Sequence, residues 1–206
     1  EEVIIVGQGR LDAGVHAIEQ SAHFDLKKKI LNIGKFLNRL NFLLNKKFIS
    51  ILKIKKKHLN FHSRYSAKAR VYKYIMFNRD SVPAINKNRV WHIKKKINLK
   101  NLKRGAKFLV GKKDFSTFRA SSCSANNPIR TLEKINIVKK NNQISIEFRS
   151  RSFLQTQVRS MVGSLKYLGE GKWDLKKFKY VTLSKRRELC APPAPPHGLF
   201  LKKVIY

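Results

Sequence analysis

A mixed, largely antiparallel sheet flanked by helices, an α/β (α+β) fold, is the architecture this sequence predicts. Three observations point to it. Residue character alternates over Ala69–Phe77; the polar stretch Lys139-Lys140-Asn141-Asn142 separates two strand-like halves of residues 131–150; and apolar residues recur at helical spacing between such stretches. Strands and helices intermix with hairpins and no long linker divides them, so helices are expected on one face of the sheet.

The elements follow in order. Val3-Ile4-Ile5-Val6 is an apolar β-branched run that predicts a buried strand. Gly7 to Gly14 reads as a loop, and a short second strand is expected within 20–26. From about Lys28 to Leu44, Ile30, Ile33, Phe36, Leu37, Leu40 and Leu43 fall on one side of an amphipathic helix. Residues 48–54 alternate as a strand. In Ala69–Phe77, Val71, Lys73 and Ile75 oppose Tyr72, Tyr74 and Met76. Helices are expected over 99–110, 152–168 and 175–185, the second closed by Gly169 and Gly171. The Pro-rich segment 191–197 precedes a final strand over 199–206, and no internal repeat occurs.

At 206 residues the chain can bury a substantial core, either as one large domain or as two small fused halves. A formal net charge of +34 and a pI near 10.6 exceed what solubility requires and point to a polyanionic partner. Lys, Asn and Ile are abundant together, so AT-rich coding is a second source of the excess, and the runs 27–29, 55–57 and 94–96 read as solvated surface. Nucleic acid fits better than a membrane. No apolar run approaches the roughly 20 residues of a membrane span, and no basic amino terminus leads into an apolar signal segment. A cytoplasmic location is therefore expected. Cys123 and Cys190 form no CxxC pair or Cys/His cluster, so no structural zinc is indicated. Free thiols fit a reducing compartment, a disulfide between the two remaining open.

The chemistry-bearing constellation is Gly9-Arg10-Leu11-Asp12-Ala13-Gly14-Val15-His16-Ala17, a carboxylate between two glycines on a loop after a strand. Alone it is also a common turn pattern, and a lone His16 is commonly structural. Four further blocks stand in order behind it: Phe61-His62-Ser63-Arg64-Tyr65-Ser66-Ala67 with Arg70-Val71-Tyr72-Lys73-Tyr74; Asp114-Phe115-Ser116-Thr117-Phe118; Phe153 to Gly163 (FLQTQVRSMVG); and Gly198-Leu199-Phe200-Leu201. Taken together these resemble the tRNA pseudouridine synthase A family, with its GRTDxGVHA signature, FHARFSA...RxYxY block, DFxSF segment, VRxxVG helix and terminal GLYL strand. The resemblance covers nearly the whole chain.

The resemblance implies a pseudouridine synthase fold and isomerisation of uridine to pseudouridine in the anticodon stem-loop of tRNA by a homodimer. The reaction moves a glycosidic bond without net gain or loss of atoms and needs no redox or metal cofactor. It needs an ionised carboxylate at the sugar, which the resemblance assigns to Asp12. Arg159 is implied as the cation that keeps Asp12 charged when buried. Tyr72 is implied to stack on the extruded uracil and to serve in proton removal. Leu199 is implied to close the apolar side of the base pocket, and Arg10 to help displace the base and hold phosphate. One catalytic region over 1–206 is expected, with 1–65 as the remainder of an amino-terminal half and 66–206 as the carboxy-terminal half.

The sequence departs from the family pattern in three ways. The strand and helix that precede the GRTD loop are absent, which reads as an amino-terminally truncated copy. Leu11 replaces the usual Thr, removing a hydroxyl beside the nucleophile. Gln8 and Gln157 stand where Ala and His or Met are commoner. Two other readings compete: a non-catalytic basic RNA-binding protein, which explains the charge but not the ordered motifs, and an inactive fragment of the enzyme.

Overall fold

The computed structural model describes residues 2–206. Its strands are β1 (Val6–Gly7), β2 (His16–Ala17), β3 (Ala22–His23), β4 (Ala69–Asn78), β5 (Trp91–Ile93), β6 (Gly111–Asp114), β7 (Ile129–Lys140), β8 (Gln143–Ser150) and β9 (Leu199–Ile205). Its helices are α1 (Ile33–Leu44), α2 (Leu99–Leu109), α3 (Gln157–Gly169) and α4 (Leu175–Leu183). Seven strands form one sheet in the order β2-β9-β4-β8-β7-β6, with β5 beside β4. The pairings are antiparallel except β2 with β9 and β4 with β5.

Alternation along β4 and β8 builds the core. Tyr74 lies opposite Ile146 and Met76 opposite Ile144, so one face is a continuous apolar layer. Leu102, Met161, Leu165 and Phe178, from α2, α3 and α4, are buried against it. The other face is polar, with Lys73 opposite Glu147, and Lys202 donating to Glu147 at 2.6 Å. Asn98 and Asp174 cap α2 and α4, their side-chain oxygens accepting from the third residue on.

Four expectations are corrected. The run from Val3 to Val6 is not a buried strand: only Val6 joins β1, and Ile4 and Ile5 are 81% and 71% exposed. Apolar character creates a demand for cover, but β3 pairs only with Val6 and Gly7. Residues 48–54 form no strand, because the Asn41 amide takes the place of one, accepting from Ile51 N–H at 2.7 Å and donating to its carbonyl at 3.0 Å. The helix expected from 152 starts at Gln157, since the Gln157 side chain accepts from Leu154 N–H at 2.8 Å and Thr156 takes φ +63°. Likewise α1 starts at Ile33, where Asn32 caps it.

Candidate active site

Asp12 sits on the loop between β1 and β2. Val15 N–H donates to the Asp12 carbonyl at 3.0 Å, closing a turn whose third residue, Gly14, has φ +79°. A side chain is disfavoured there twice over, by the backbone conformation and by Pro196, whose Cγ would lie 3.2 Å from a Cβ. Leu11 packs with Ala67, Leu201 and Val204 in a small second core. It therefore anchors the loop by apolar contact where a Thr would present a hydroxyl. His16 approaches the Asn88 carbonyl at 3.0 Å and stacks on Phe200 at 4.9 Å, a structural set of contacts.

Arg159 stands in the first turn of α3 and reaches the Asp12 loop. Its Nη1 donates to Asp12 Oδ2 at 2.7 Å and its Nε to the Ala194 carbonyl at 2.7 Å. Ala194 N–H in turn donates to the Arg159 carbonyl at 2.9 Å. The two charged side chains are 17% and 27% exposed, so the pair is partly shielded from water yet open on one side. One turn along α3, a Cβ at Gly163 would fall 2.1 Å from the Pro192 carbonyl oxygen. Only glycine lets α3 approach the 191–197 segment so closely.

That segment is the clamp of the site and was not legible as such from its prolines. Pro196 meets the Asp12 turn, Ala194 holds Arg159, Pro192 lies on Gly163, and the Pro195 carbonyl accepts from the buried Tyr74 hydroxyl at 2.8 Å. Burial drives the Tyr74 phenol pKa upward, with Arg159 opposing the rise.

Tyr72, two residues before Tyr74 on β4, packs edge-on against Phe153 at 5.2 Å. Burial pushes its phenol up to about 12; the Arg70 guanidinium works against the rise and the Asp12 carboxylate adds to it. The phenol is therefore held protonated at neutral pH, which favours a stacking and hydrogen-bonding part over action as a phenolate base. Asp12, Arg159 and Tyr72 thus come together from three distant stretches of sequence. Leu199 is buried at the start of β9, opposite Tyr74 and within the main core. Arg10, two residues before Asp12, is exposed.

Both cysteines are free. Among the described residues no group of three or more His, Cys, Asp or Glu side chains is placed to hold a metal ion. No helix among them is long and apolar enough to cross a membrane.

A carboxylate paired with a guanidinium beside a half-buried phenol, on a strongly basic α/β scaffold, has the makings of a nucleic-acid-directed active site. A family model described as tRNA pseudouridine synthase matches residues 106–206. The chain is similar along its whole length to the tRNA pseudouridine synthase A of Pelagibacter ubique, with 62% identity and 84% of that protein covered. Its counterparts from Neorickettsia sennetsu and Anaplasma marginale are 40% and 38% identical over the whole chain, with 84% and 83% of those proteins covered. The chain belongs to the tRNA pseudouridine synthase family.

Proposed function

We propose that this protein isomerises uridine to pseudouridine in tRNA, with Asp12 as the catalytic carboxylate. The observation that carries this reading is the 2.7 Å ion pair between Asp12 and Arg159 beside Tyr72. A carboxylate so paired is held in a fixed direction yet, at 27% exposure, is not sealed from substrate. In the reaction the N1–C1′ bond of uridine breaks, the uracil turns, and C5 joins C1′; the C5 hydrogen leaves to solvent and N1 acquires a proton. Asp12 supplies the negative charge at C1′ or the base, Arg159 holds its orientation, and Tyr72 presents a ring on which the extruded uracil stacks. Leu199 forms part of the apolar wall, and the exposed Arg10 contacts backbone phosphate.

The substrate nucleotides lie in the anticodon stem-loop, the location is the cytoplasm, and residues 1–206 act as one catalytic region. The working form is a homodimer. Helix α1 offers a face for a second copy, since Phe42 and Leu43 are 76% and 72% exposed, and an apolar patch of this kind favours association. Light scattering at micromolar concentration reads that mass directly.

The test of the reaction is tritium release from tRNA carrying 5-tritiated uridine. The unmodified chain is expected to release tritium and Asp12→Ala to release none while still binding tRNA. Binding without release by the unmodified chain would favour the RNA-binding reading instead.

A further inference from the structure

Arg70 lies on β4 two residues before Tyr72, on the same face of the strand. Among the described residues it makes no ion pair; its guanidinium is spent on three neutral oxygens from three separate segments. Its Nε donates to Gln8 Oε1 at 2.8 Å, its Nη2 to the Arg64 carbonyl at 2.7 Å, and its Nη1 to the Arg151 carbonyl. Gln8 is 2% exposed and stands at the foot of the loop, four residues before Asp12. Its backbone N–H donates to the Ser21 carbonyl at 2.9 Å, which fixes the residue from its other side.

We propose that the Arg70–Gln8 pair is a positioning device, tying the strand that carries Tyr72 to the foot of the loop that carries Asp12. This rests on the uridine-isomerase reading. The far end of the loop is seated by Leu11, by Gly14 on Pro196, and by β2 on β9. The near end is held by Gln8. An alanine at that position, the commoner residue in the family pattern, has no side-chain oxygen to offer Arg70, so the fastening belongs to this chain's own residues. The guanidinium also acts electrostatically on the Tyr72 phenol, as does the Asp12 carboxylate, which places all three groups in one local field. Neither Arg70 nor Gln8 needs to touch the uridine; each acts by holding Asp12 at a set distance from the stacking ring.

The experiment compares Gln8→Leu with Gln8→Glu, which keeps an acceptor for Arg70. Losing one hydrogen bond to a charged donor predicts a fall in kcat of about tenfold in Gln8→Leu, with KM for tRNA within about twofold. Gln8→Glu is expected to restore turnover to within about twofold. Amide exchange over 8–15, measured on the free protein, is expected to quicken in Gln8→Leu and to return to normal in Gln8→Glu, with α2, α3 and α4 unchanged. Unchanged kcat in Gln8→Leu, or an equal change in both variants, would overturn the proposal. If the unmodified protein releases no tritium, the isomerase reading fails separately; the exchange comparison then decides the fastening alone, unchanged exchange overturning it.

Discussion

Arg159 and Asp12, 147 residues apart in sequence, meet through a single 2.7 Å contact from Nη1 to Oδ2. Because Nε of the same guanidinium is held by the Ala194 carbonyl, the cation reaches the carboxylate from a fixed direction. Arg159→Met leaves both oxygens without their donor. Turnover is expected to fall by about 10- to 100-fold, from the worth of a charge-assisted hydrogen bond. Arg159→Lys, which has charge but no fork, is expected to recover only part of it. Tritium release in single-turnover conditions reads both; full activity in Arg159→Met would remove the pair from the mechanism.

Tyr72 sets a pH dependence. Its phenol has a folded pKa of about 12 against an ordinary value near 10. Between those values the unfolded chain loses a proton that the folded chain keeps. Stability is therefore fully present below about pH 10 and falls as pH rises toward about 12, by roughly 1.4 kcal/mol per unit of difference. Tyr74, shifted in the same direction, adds to the loss. Melting temperatures of Tyr72→Phe and the parent, followed from neutral to alkaline pH, are expected to converge as the parent loses its excess. Parallel curves would contradict this.

Gly163→Ala tests the clamp. A methyl group 2.1 Å from the Pro192 carbonyl must push α3 and the 191–197 segment apart. A stability loss of at least about 2 kcal/mol is expected, with lost tritium release as Ala194 leaves Arg159. Thermal melting and release together would show it; a variant as stable and active as the parent would mean that the clamp yields freely.

Two buried serines should behave oppositely. Ser160 Oγ is buried with no hydrogen-bond partner among the described residues, whereas Ser63 Oγ donates to the Val6 carbonyl at 2.8 Å. Ser160→Ala is expected to leave the melting temperature unchanged or higher, and Ser63→Ala to cost about 1 kcal/mol. The reverse order would show that the Ser160 hydroxyl is satisfied in solution.

If lysines and arginines supply the RNA contacts, tRNA affinity should fall linearly in log–log form as salt rises, by about 10³-fold or more between 50 and 200 mM if six or more phosphates are engaged. Filter binding across that range measures the slope. A flat response would disconnect the +34 charge from binding.

What was legible in the sequence follows from which physical signals are local. The alternation of β4, the hairpin of β7 and β8, and helices α2 and α4 are carried by period and caps within a dozen residues. Their boundaries fell within a residue or two of expectation. Short β2, β5 and β6 were not legible, because a bridge of two to four residues has no period to detect and exists only through its partner. The strand expected over 48–54 failed for a related reason, since nothing in its alternation reveals that Asn41 will satisfy Ile51. At the candidate site, Asp12, Tyr72 and Arg159 were singled out through motifs, and the structure places them near one another. The roles of Ala194, Pro196 and Gln8 were not, because each acts through a backbone carbonyl, a ring contact or a buried amide that any loop could contain.

The parallel pairing of His16 with Phe200 carries a consequence for synthesis. Phe200, on the strand that receives β2 beside the Asp12 loop, is translated 184 residues after His16, and Pro196, which presses on Gly14, comes only a few residues earlier. Until β9 has been made, the loop has no dock, and until the 191–197 segment has been made, Arg159 has no Ala194 to steady it. The emerging chain is therefore already cationic but chemically silent toward the RNA crowding the ribosome. Competence arrives in one late step, when β9 slides between β2 and β4.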